Sequence, residues 1–388
     1  MRFLLESSRV PIYERINLAL KAALEFLGHE VVFFSPDFRD DVAFIQTVNA
    51  ATIDAYLISN EGAYIQRFSE VYQQFLFERV NHRLLFFFHD NAFCGTGDRT
   101  RLKQRYQALK EVSPRSRIFC IERSNLSDLA ALSVENLHFL PHATEFSPVP
   151  ADRAAVSADT VAFVGHTMAG LQSFPVDAYP EARSLIGLAW LRFGDVETPV
   201  QQLLNLAIQK RQGASSFVER QYLLNLLNKM TFSLRGEILN SLNVPLTVYG
   251  GDLSYGQGDP LLYRSSSPHI TYAPATSDYN DTARIYANAG INLNITGLQF
   301  DTAINNRVLD VAASGGVLLT DRKADLARLF PYASALTYSS ADELREKLLA
   351  ARDPLVYRQM VNVCDAMRED ILAQYSYNNV ARTILTML

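Results

Sequence analysis

Short apolar runs alternate with longer amphipathic segments along the first 145 residues of the chain. The runs are apolar at consecutive positions, which predicts strands buried on both faces of a sheet. These strand candidates are RFLLES, EVVFFSP, DAYLIS, RLLFFFHD and RIFCIE. Helical spacing predicts helices over 15–29, 64–81 and 100–112. The alternation predicts one doubly wound α/β domain with a parallel sheet, over residues 1–150.

The same alternation returns after a proline-containing passage, 137–160, that we expect to be a linker. The later strand candidates are VAFVGHT, PLTVYGG, HITYAP, INLNIT, GVLLTD and ALTYSS. They predict a second parallel α/β domain over 151–370, facing the first across a cleft. Helical periodicity without strands predicts a helical insert over about 180–243, which either recognises an acceptor or forms a homodimer contact. We expect residues 371–388 to form a C-terminal helix that packs back on the first domain.

Composition narrows the class of protein. A chain of 388 residues, 48% hydrophobic and 20% charged, is typical of a globular protein with two domains. The net charge of −5 argues against nucleic acid as a partner. No apolar stretch reaches the length of a transmembrane segment, and the three cysteines lie far apart. We therefore expect a cytoplasmic protein with reduced thiols.

The segment from Asn305 to Asp321 carries the clearest candidate chemistry. Asn306, Arg307 and Asp310 share one stripe of a predicted helix, while its apolar residues can pack on the sheet. The N–H groups of a helix N-terminus beside an arginine suit a phosphate, and an aspartate one turn later suits a ribose. The alternative is an exposed Arg307–Asp310 ion pair with no ligand.

This segment, NRVLDVAASGGVLLTD, resembles the carboxyl-terminal signature of GT-B glycosyltransferases, most closely the spore-maturation (CgeB-like) group. TYSSADELREKLLAARDPLVYRQM and YSYNNVARTILTML continue the resemblance. Upstream, the interdomain passage ending LPHATEF, the turn DTVAFVGHT and the run FFFHDNAF are similar to segments of that family in the same order. The resemblance implies the GT-B fold, in which two Rossmann-like domains face each other across a cleft.

The resemblance also implies roles for single residues. Asp310 takes the place of the acidic residue that binds the donor ribose, although the family usually has Glu there. The remaining donor-binding residues implied are Asn306 and Arg307 at the diphosphate, Gly165 and His166 after the first strand of the second domain, and Tyr272 and Ala273 at the base. Thr302 stands where retaining members of the family have a second Glu, so the stereochemical outcome stays open.

His89 and Asp90 follow a predicted strand and are the candidate catalytic residues. An attacking acceptor hydroxyl must lose its proton, which either side chain can accept. The alternative is an Asp that caps a loop and a His in a structural hydrogen bond. The family has Asp at this place, which favours Asp90. His142 in LPHAT has two open interpretations, donor orientation or structure.

The histidines lack metal-type spacing, and a DxD pair is missing. We therefore expect a metal-independent enzyme without a cofactor. In such an enzyme Arg307, helix N-termini and Arg264 balance the charge of the leaving diphosphate.

The sequence thus predicts a glycosyltransferase, hexosyltransferase-like, that moves a sugar from a nucleotide-sugar donor to an acceptor hydroxyl. The acceptor, whether glycan, lipid, protein or small molecule, is not specified. Two alternatives remain open: a sugar-nucleotide epimerase or hydrolase on the same fold, and an inactive GT-B-like binding or scaffold protein.

Overall fold

The chain folds into two compact units, Met1–Ala143 together with Tyr375–Leu388, and Thr144–Gln374. The computed structural model describes residues 1–8, 11–35, 40–59, 67–90, 93, 98–150, 156–167, 171, 177, 181–194, 204, 217–250, 267–276 and 278–388. The last residues of the chain therefore belong to the same unit as the first.

The first unit is built on a parallel six-stranded sheet of order β2-β1-β3-β6-β7-β8. Its elements are β1 (Arg2–Glu6), α1 (Pro11–Phe26), β2 (Glu30–Phe34), α2 (Asp41–Ala50), β3 (Ala55–Ser59), β4 (Phe68–Ser69), β5 (Gln74–Phe75), β6 (Arg83–Phe88), α3 (Arg99–Val112), β7 (Ser116–Cys120), α4 (Arg123–Ala131) and β8 (Leu137–Phe139). In β6 every residue from Leu84 to Phe88 is buried, as expected when helices cover both faces of a sheet.

The helix predicted over 64–81 is wrong in its described part. Strands β4 and β5 form an antiparallel hairpin, and a 3-10 turn, Leu76–Arg79, follows. The carboxylate of buried Asp41 accepts hydrogen bonds from Arg67 and from Ser69, which anchors the first strand of the hairpin. Three consecutive buried residues then follow from Phe75 to Phe77, which a one-sided amphipathic helix cannot bury.

The predicted linker is wrong in its first residues, because β8 is a sixth strand. It pairs in parallel with β7, from Ile118 opposite Leu137 to Cys120 opposite Phe139. Asn136 turns the chain into this strand with a φ of 53°. A strand of three half-buried residues is too short to produce a periodic signal in the sequence.

The second unit contains a second parallel six-stranded sheet, of order β11-β10-β9-β12-β13-β14. Its elements are β9 (Val161–Val164), α5 (Ala182–Gly194), α6 (Phe217–Ser241), β10 (Leu246–Tyr249), β11 (Ile270–Ala273), α7 (Tyr279–Asn288), β12 (Ile291–Asn294), α8 (Asn306–Ala313), β13 (Leu318–Asp321), α9 (Ala324–Leu329), β14 (Thr337–Tyr338), α10 (Ala341–Ala350) and α11 (Pro354–Gln374). The two sheets confirm the predicted α/β class.

The order of the second sheet creates a switch point between β9 and β12. From β9 the chain proceeds to β10 and β11 on one side, and it then crosses to β12 on the other side. Loops that leave the carboxyl ends of β9 and β12 therefore diverge and leave a crevice, where ligands of such sheets bind. The strand order therefore places the candidate ligand-binding crevice at the carboxyl ends of β9 and β12.

Helices α5 and α6 lie in the chain between β9 and β10 and pack against each other. The further helical segment predicted over 199–212 lies outside the described residues except for Leu204. The last helix, α12 (Tyr377–Thr386), packs on α1 in the first unit. Within the part of the chain that the structure describes, no helix combines the length and apolar character needed to cross a membrane.

Candidate functional site

Gly165 directly follows β9 at the switch point and gives access to an arginine. A Cβ at this position would lie 2.9 Å from Nη2 of Arg307, and the φ of 153° disfavours an L side chain. Glycine thus allows the Arg307 guanidinium to approach the carboxyl end of the strand.

Arg307 is held at this place from two sides. Its Nη1 donates to Oδ1 of Asn294, the last residue of β12, over 2.9 Å, and its guanidinium lies 5.1 Å from the ring centroid of Phe163 in β9. Nδ2 of Asn305 donates to the same oxygen of Asn294 over 2.9 Å. Asn305 is the N-cap of α8 but makes no capping hydrogen bond with its side chain. The first-turn N–H groups of α8 and the Arg307 guanidinium therefore lie at the same end of one helix.

A second arginine, Arg235 of α6, reaches the same ring. It is 8% exposed, its Nε donates to the carbonyl oxygen of Ile295 over 2.9 Å, and its guanidinium lies 5.8 Å from the Phe163 ring centroid. Burial, and then the positive charge of Arg307, lower the pKa of Arg235 to about 9. The two guanidinium groups therefore repel each other at the crevice, which an anion between them would relieve.

The nearby carboxylate of Asp321 does not neutralise both arginines. Its Oδ1 accepts hydrogen bonds from the N–H of Thr296 over 2.9 Å and from its hydroxyl over 2.8 Å, and Oδ2 lies 3.6 Å from Nζ of Lys323. The positive charge of Arg307 lowers the pKa of Arg235, and the charge of Asp321 opposes this shift. Two guanidinium groups held close together favour an anionic ligand between them.

The sequence analysis named Arg307 and Gly165 as candidate donor-binding residues but did not name Arg235. The available signal was an arginine within the stretch of α6 from Met230 to Leu239, where six of the ten residues are apolar or glycine. Burial of an arginine without a carboxylate partner on its own helix is uncommon and points to a function.

Asp310 lies on α8 with Arg307 but binds elsewhere. It is 3% exposed, and its Oδ1 accepts a hydrogen bond from the Thr144 hydroxyl over 2.7 Å. The alternative of an exposed Arg307–Asp310 ion pair is therefore wrong. Thr144 is the last residue of the LPHAT motif. Through this hydrogen bond the motif contacts helix α8, although the two are far apart in sequence.

The other predicted donor residues lie at varied distances from the arginines. His166 is half-buried, and its ring lies 6.3 Å from Phe232, which in turn lies 5.6 Å from the Arg235 guanidinium. Asn306 is half-buried in the first turn of α8. Tyr272 and Ala273 end β11, two strands from β9, or about 10 Å away.

Two further positions complete the sequence predictions for this unit. Arg264 lies outside the described residues. Thr302, which stands where retaining members of the resembled family have a second Glu, donates its hydroxyl to Oδ2 of Asp325 over 2.8 Å. Among the described residues no group of three or more His, Cys, Asp and Glu could hold a metal ion.

In the first unit, Asp90 and His89 follow β6 at the carboxyl edge of the sheet. Asp90 is half-buried and accepts a hydrogen bond from the Tyr13 hydroxyl. His89 is 2% exposed, and its ring lies 4.2 Å from Phe87 and 6.3 Å from His142. Asp90 is thus the more accessible of the two candidate bases.

Burial keeps both histidines neutral. It lowers the pKa of His89 well below its ordinary value, with His142 as the second cause. Burial and the charge of Arg15 lower the pKa of His142 to about 4. Neither imidazole therefore carries a positive charge near pH 7.

We expect the first unit to lose stability in acid because of His142. Between its folded pKa of about 4 and its unfolded pKa of about 6.5, the unfolded chain binds more protons. The free energy of unfolding therefore falls as the pH decreases through this range, by at most about 3 kcal/mol. Urea denaturation at about pH 7 and about pH 4.5 measures the loss, which His142→Gln is expected to reduce. An equal loss in both proteins would assign the acid sensitivity to other groups.

Comparison with known proteins finds one matching family model and several similar solved structures. Residues 233–386 match the family model described as Glycosyl transferase-like. The matched region includes Arg235, Asn294, Arg307, Asp310 and Asp321. No curated protein sequence matches the chain.

Several solved structures share the fold at low identity. Sucrose-phosphate synthase from Thermosynechococcus elongatus is similar with a TM-score of 0.57 at 14% identity, over 100% of this chain and 98% of that one. HepE of Anabaena, in complex with UDP and glucose, gives 0.55 at 10% over 100% and 98%. T4 phage β-glucosyltransferase with UDP-glucose gives 0.51 at 11% over 99% and 98%. The likeness shows that the chain has the GT-B fold.

Proposed function

We propose that the protein is a metal-independent glycosyltransferase that transfers a sugar from a nucleoside-diphosphate donor to an acceptor hydroxyl. The convergence of Arg235 and Arg307 on Phe163 at the switch point carries this proposal. A departing nucleoside diphosphate gains negative charge in the transition state, and two preorganised guanidinium groups stabilise that charge. The glycosyl transferase-like match over residues 233–386 supports this assignment.

The donor is assigned to the carboxyl edge of the second sheet. Arg235, Arg307 and the N–H groups of α8 bind the diphosphate, since a planar guanidinium matches two phosphate oxygens. Gly165 leaves room for this contact, and His166 and Asn306 lie beside it. Asp310 binds the ribose, and its hydrogen bond from Thr144 fixes the direction of its carboxylate. Tyr272 and Ala273 are assigned to the base.

The acceptor is assigned to the first unit, with Asp90 as the base. The hydrogen bond from Tyr13 orients the Asp90 carboxylate, and a carboxylate in this position can accept the proton of the attacking hydroxyl. The new bond joins that hydroxyl oxygen to the anomeric carbon as the carbon–diphosphate bond breaks. Neutral, buried His89 precedes Asp90 in the chain, and we assign it a role in position rather than in charge.

Three finer assignments rest on the sequence. The order of motifs supports membership of the spore-maturation (CgeB-like) group. Sparse cysteines support a cytoplasmic location, and the helical insert is the surface that we assign to homodimer formation or acceptor recognition.

The donor is identified by thermal unfolding with a panel of nucleotides and nucleotide sugars. We expect one nucleoside diphosphate or its sugar to stabilise the protein, by about 2.7 kcal/mol at 100 times its dissociation constant. Asp310→Ala should reduce that stabilisation. Release of free sugar without acceptor would favour the hydrolase alternative. A panel in which no nucleotide stabilises the protein would contradict the proposal and favour a scaffold.

A further inference from the structure

We infer that helix α6 of the helical insert sets the geometry of the donor site, and that Thr231 and Glu237 are positioning residues for it. The inference rests on the proposed function, because it concerns how the two arginines are presented to a diphosphate. The inference gives the helical insert a role inside the donor site, in addition to the homodimer contact or acceptor recognition assigned to its surface.

One face of α6 holds the loop that follows β12. The Thr231 hydroxyl oxygen accepts a hydrogen bond from the N–H of Leu298 over 3.0 Å, and Thr231 is 3% exposed. One turn later, Arg235 donates to the carbonyl oxygen of Ile295 in the same loop. The loop and Arg235 are therefore fixed to each other through two hydrogen bonds spaced i and i+4 on one helix.

Other residues of α6 hold the loop that follows β9. Oε2 of Glu237 accepts a hydrogen bond from the N–H of Leu171 over 2.8 Å, and Leu171 is fully buried. The ring of Phe232 contacts His166 near the start of that loop. Helix α6 thus connects to both loops that diverge at the switch point, and so it fixes the distance between them.

Loss of the Thr231 hydroxyl acts on the site through Arg235. In Thr231→Val the shape of the side chain is kept, but the buried N–H of Leu298 loses its acceptor. The loop must then shift to find another partner, and Ile295, which orients Arg235, lies three residues before Leu298 in that loop. Contacts with phosphate groups depend on this orientation, whereas contacts with the base and ribose do not.

The test compares UDP, GDP and ADP with uridine, guanosine and adenosine by calorimetric titration. We expect Thr231→Val to weaken binding of the preferred nucleoside diphosphate by about tenfold, with the nucleoside affected less than about twofold. Thr231→Ser restores the hydroxyl and should return binding to within about twofold of wild type. Lys229→Ala, at an exposed position of the same helix, is the matched control.

Variants of Glu237 provide an independent test. The side chain is only half-buried, so these variants are expected to fold. Glu237→Ala removes the acceptor of the Leu171 N–H, whereas Glu237→Gln retains an oxygen and should restore binding. If wild type binds a diphosphate and neither Thr231→Val nor Glu237→Ala weakens that binding, this inference is overturned while the proposed function stands. Equal weakening of diphosphate and nucleoside would also overturn it, by indicating general damage. If wild type binds none of the three diphosphates, the proposed function fails first.

Discussion

Replacing Arg307 by Ala is expected to weaken binding of the donor nucleoside diphosphate by about 100-fold, because a charge-assisted, two-point contact with phosphate is lost. The same change should alter the free energy of unfolding by no more than about 1 kcal/mol. It removes a hydrogen bond and a ring contact, but it also removes the charge that repels Arg235. Calorimetric titration and urea denaturation of the same variant measure both quantities.

The controls separate charge from geometry. Arg307→Lys keeps the charge but loses the planar fork, so we expect a loss of about tenfold. Arg352→Ala removes an arginine of the same unit that pairs with Asp159 over 3.0 Å, and it should leave binding unchanged. Undiminished UDP or other diphosphate affinity in Arg307→Ala would place the donor elsewhere on the chain.

Most of the fold could be predicted because its central strands are continuous apolar runs. Strand β6, with the run RLLFFF, is buried along five of its six residues, and such a run has few other stable environments. The hairpin of β4 and β5 could not be predicted from periodicity. Phe68 and Phe75 are spaced as on a helix, while the interaction that decides the conformation, Asp41 with Arg67 and Ser69, joins residues far apart in sequence.

The candidate site, like the hairpin, could be predicted only in part from local sequence patterns. Gly165 directly follows strand β9, and Arg307 lies in the first turn of helix α8, so the sequence context of each residue is informative. Arg235 stands inside a helix, and only the tertiary structure brings it to Phe163. The assignment of Asp310 to the donor ribose stays a prediction, and its hydrogen-bond partner Thr144, 166 residues away in sequence, could not be predicted from the helix pattern. Local pattern therefore indicates which edge of a sheet to examine, while long-range contacts determine which charges meet there.

Asp90→Asn is expected to reduce acceptor-dependent release of nucleoside diphosphate by about 100-fold or more while donor affinity stays unchanged. The amide cannot accept the proton of the acceptor hydroxyl, and a positioned base contributes about 10²–10⁴-fold to such a step. Tyr13→Phe removes the hydrogen bond to the carboxylate and keeps the aromatic ring, so a smaller loss, about tenfold, is expected. Release is measured with the donor from the nucleotide panel and a mixture of candidate acceptors, after subtraction of release without acceptor.

The two variants together distinguish a base from a structural carboxylate. A purely structural Asp90 predicts that Asp90→Asn loses no more turnover than Tyr13→Phe, because the Asn amide oxygen can still accept the hydrogen bond from the Tyr13 hydroxyl. A base predicts unequal losses of turnover with similar stabilities, since only Asp90→Asn removes the proton acceptor. His89→Gln then tests the neighbouring imidazole. Because its pKa lies well below the ordinary value, a neutral amide in its place should preserve most of the turnover if His89 contributes position rather than charge.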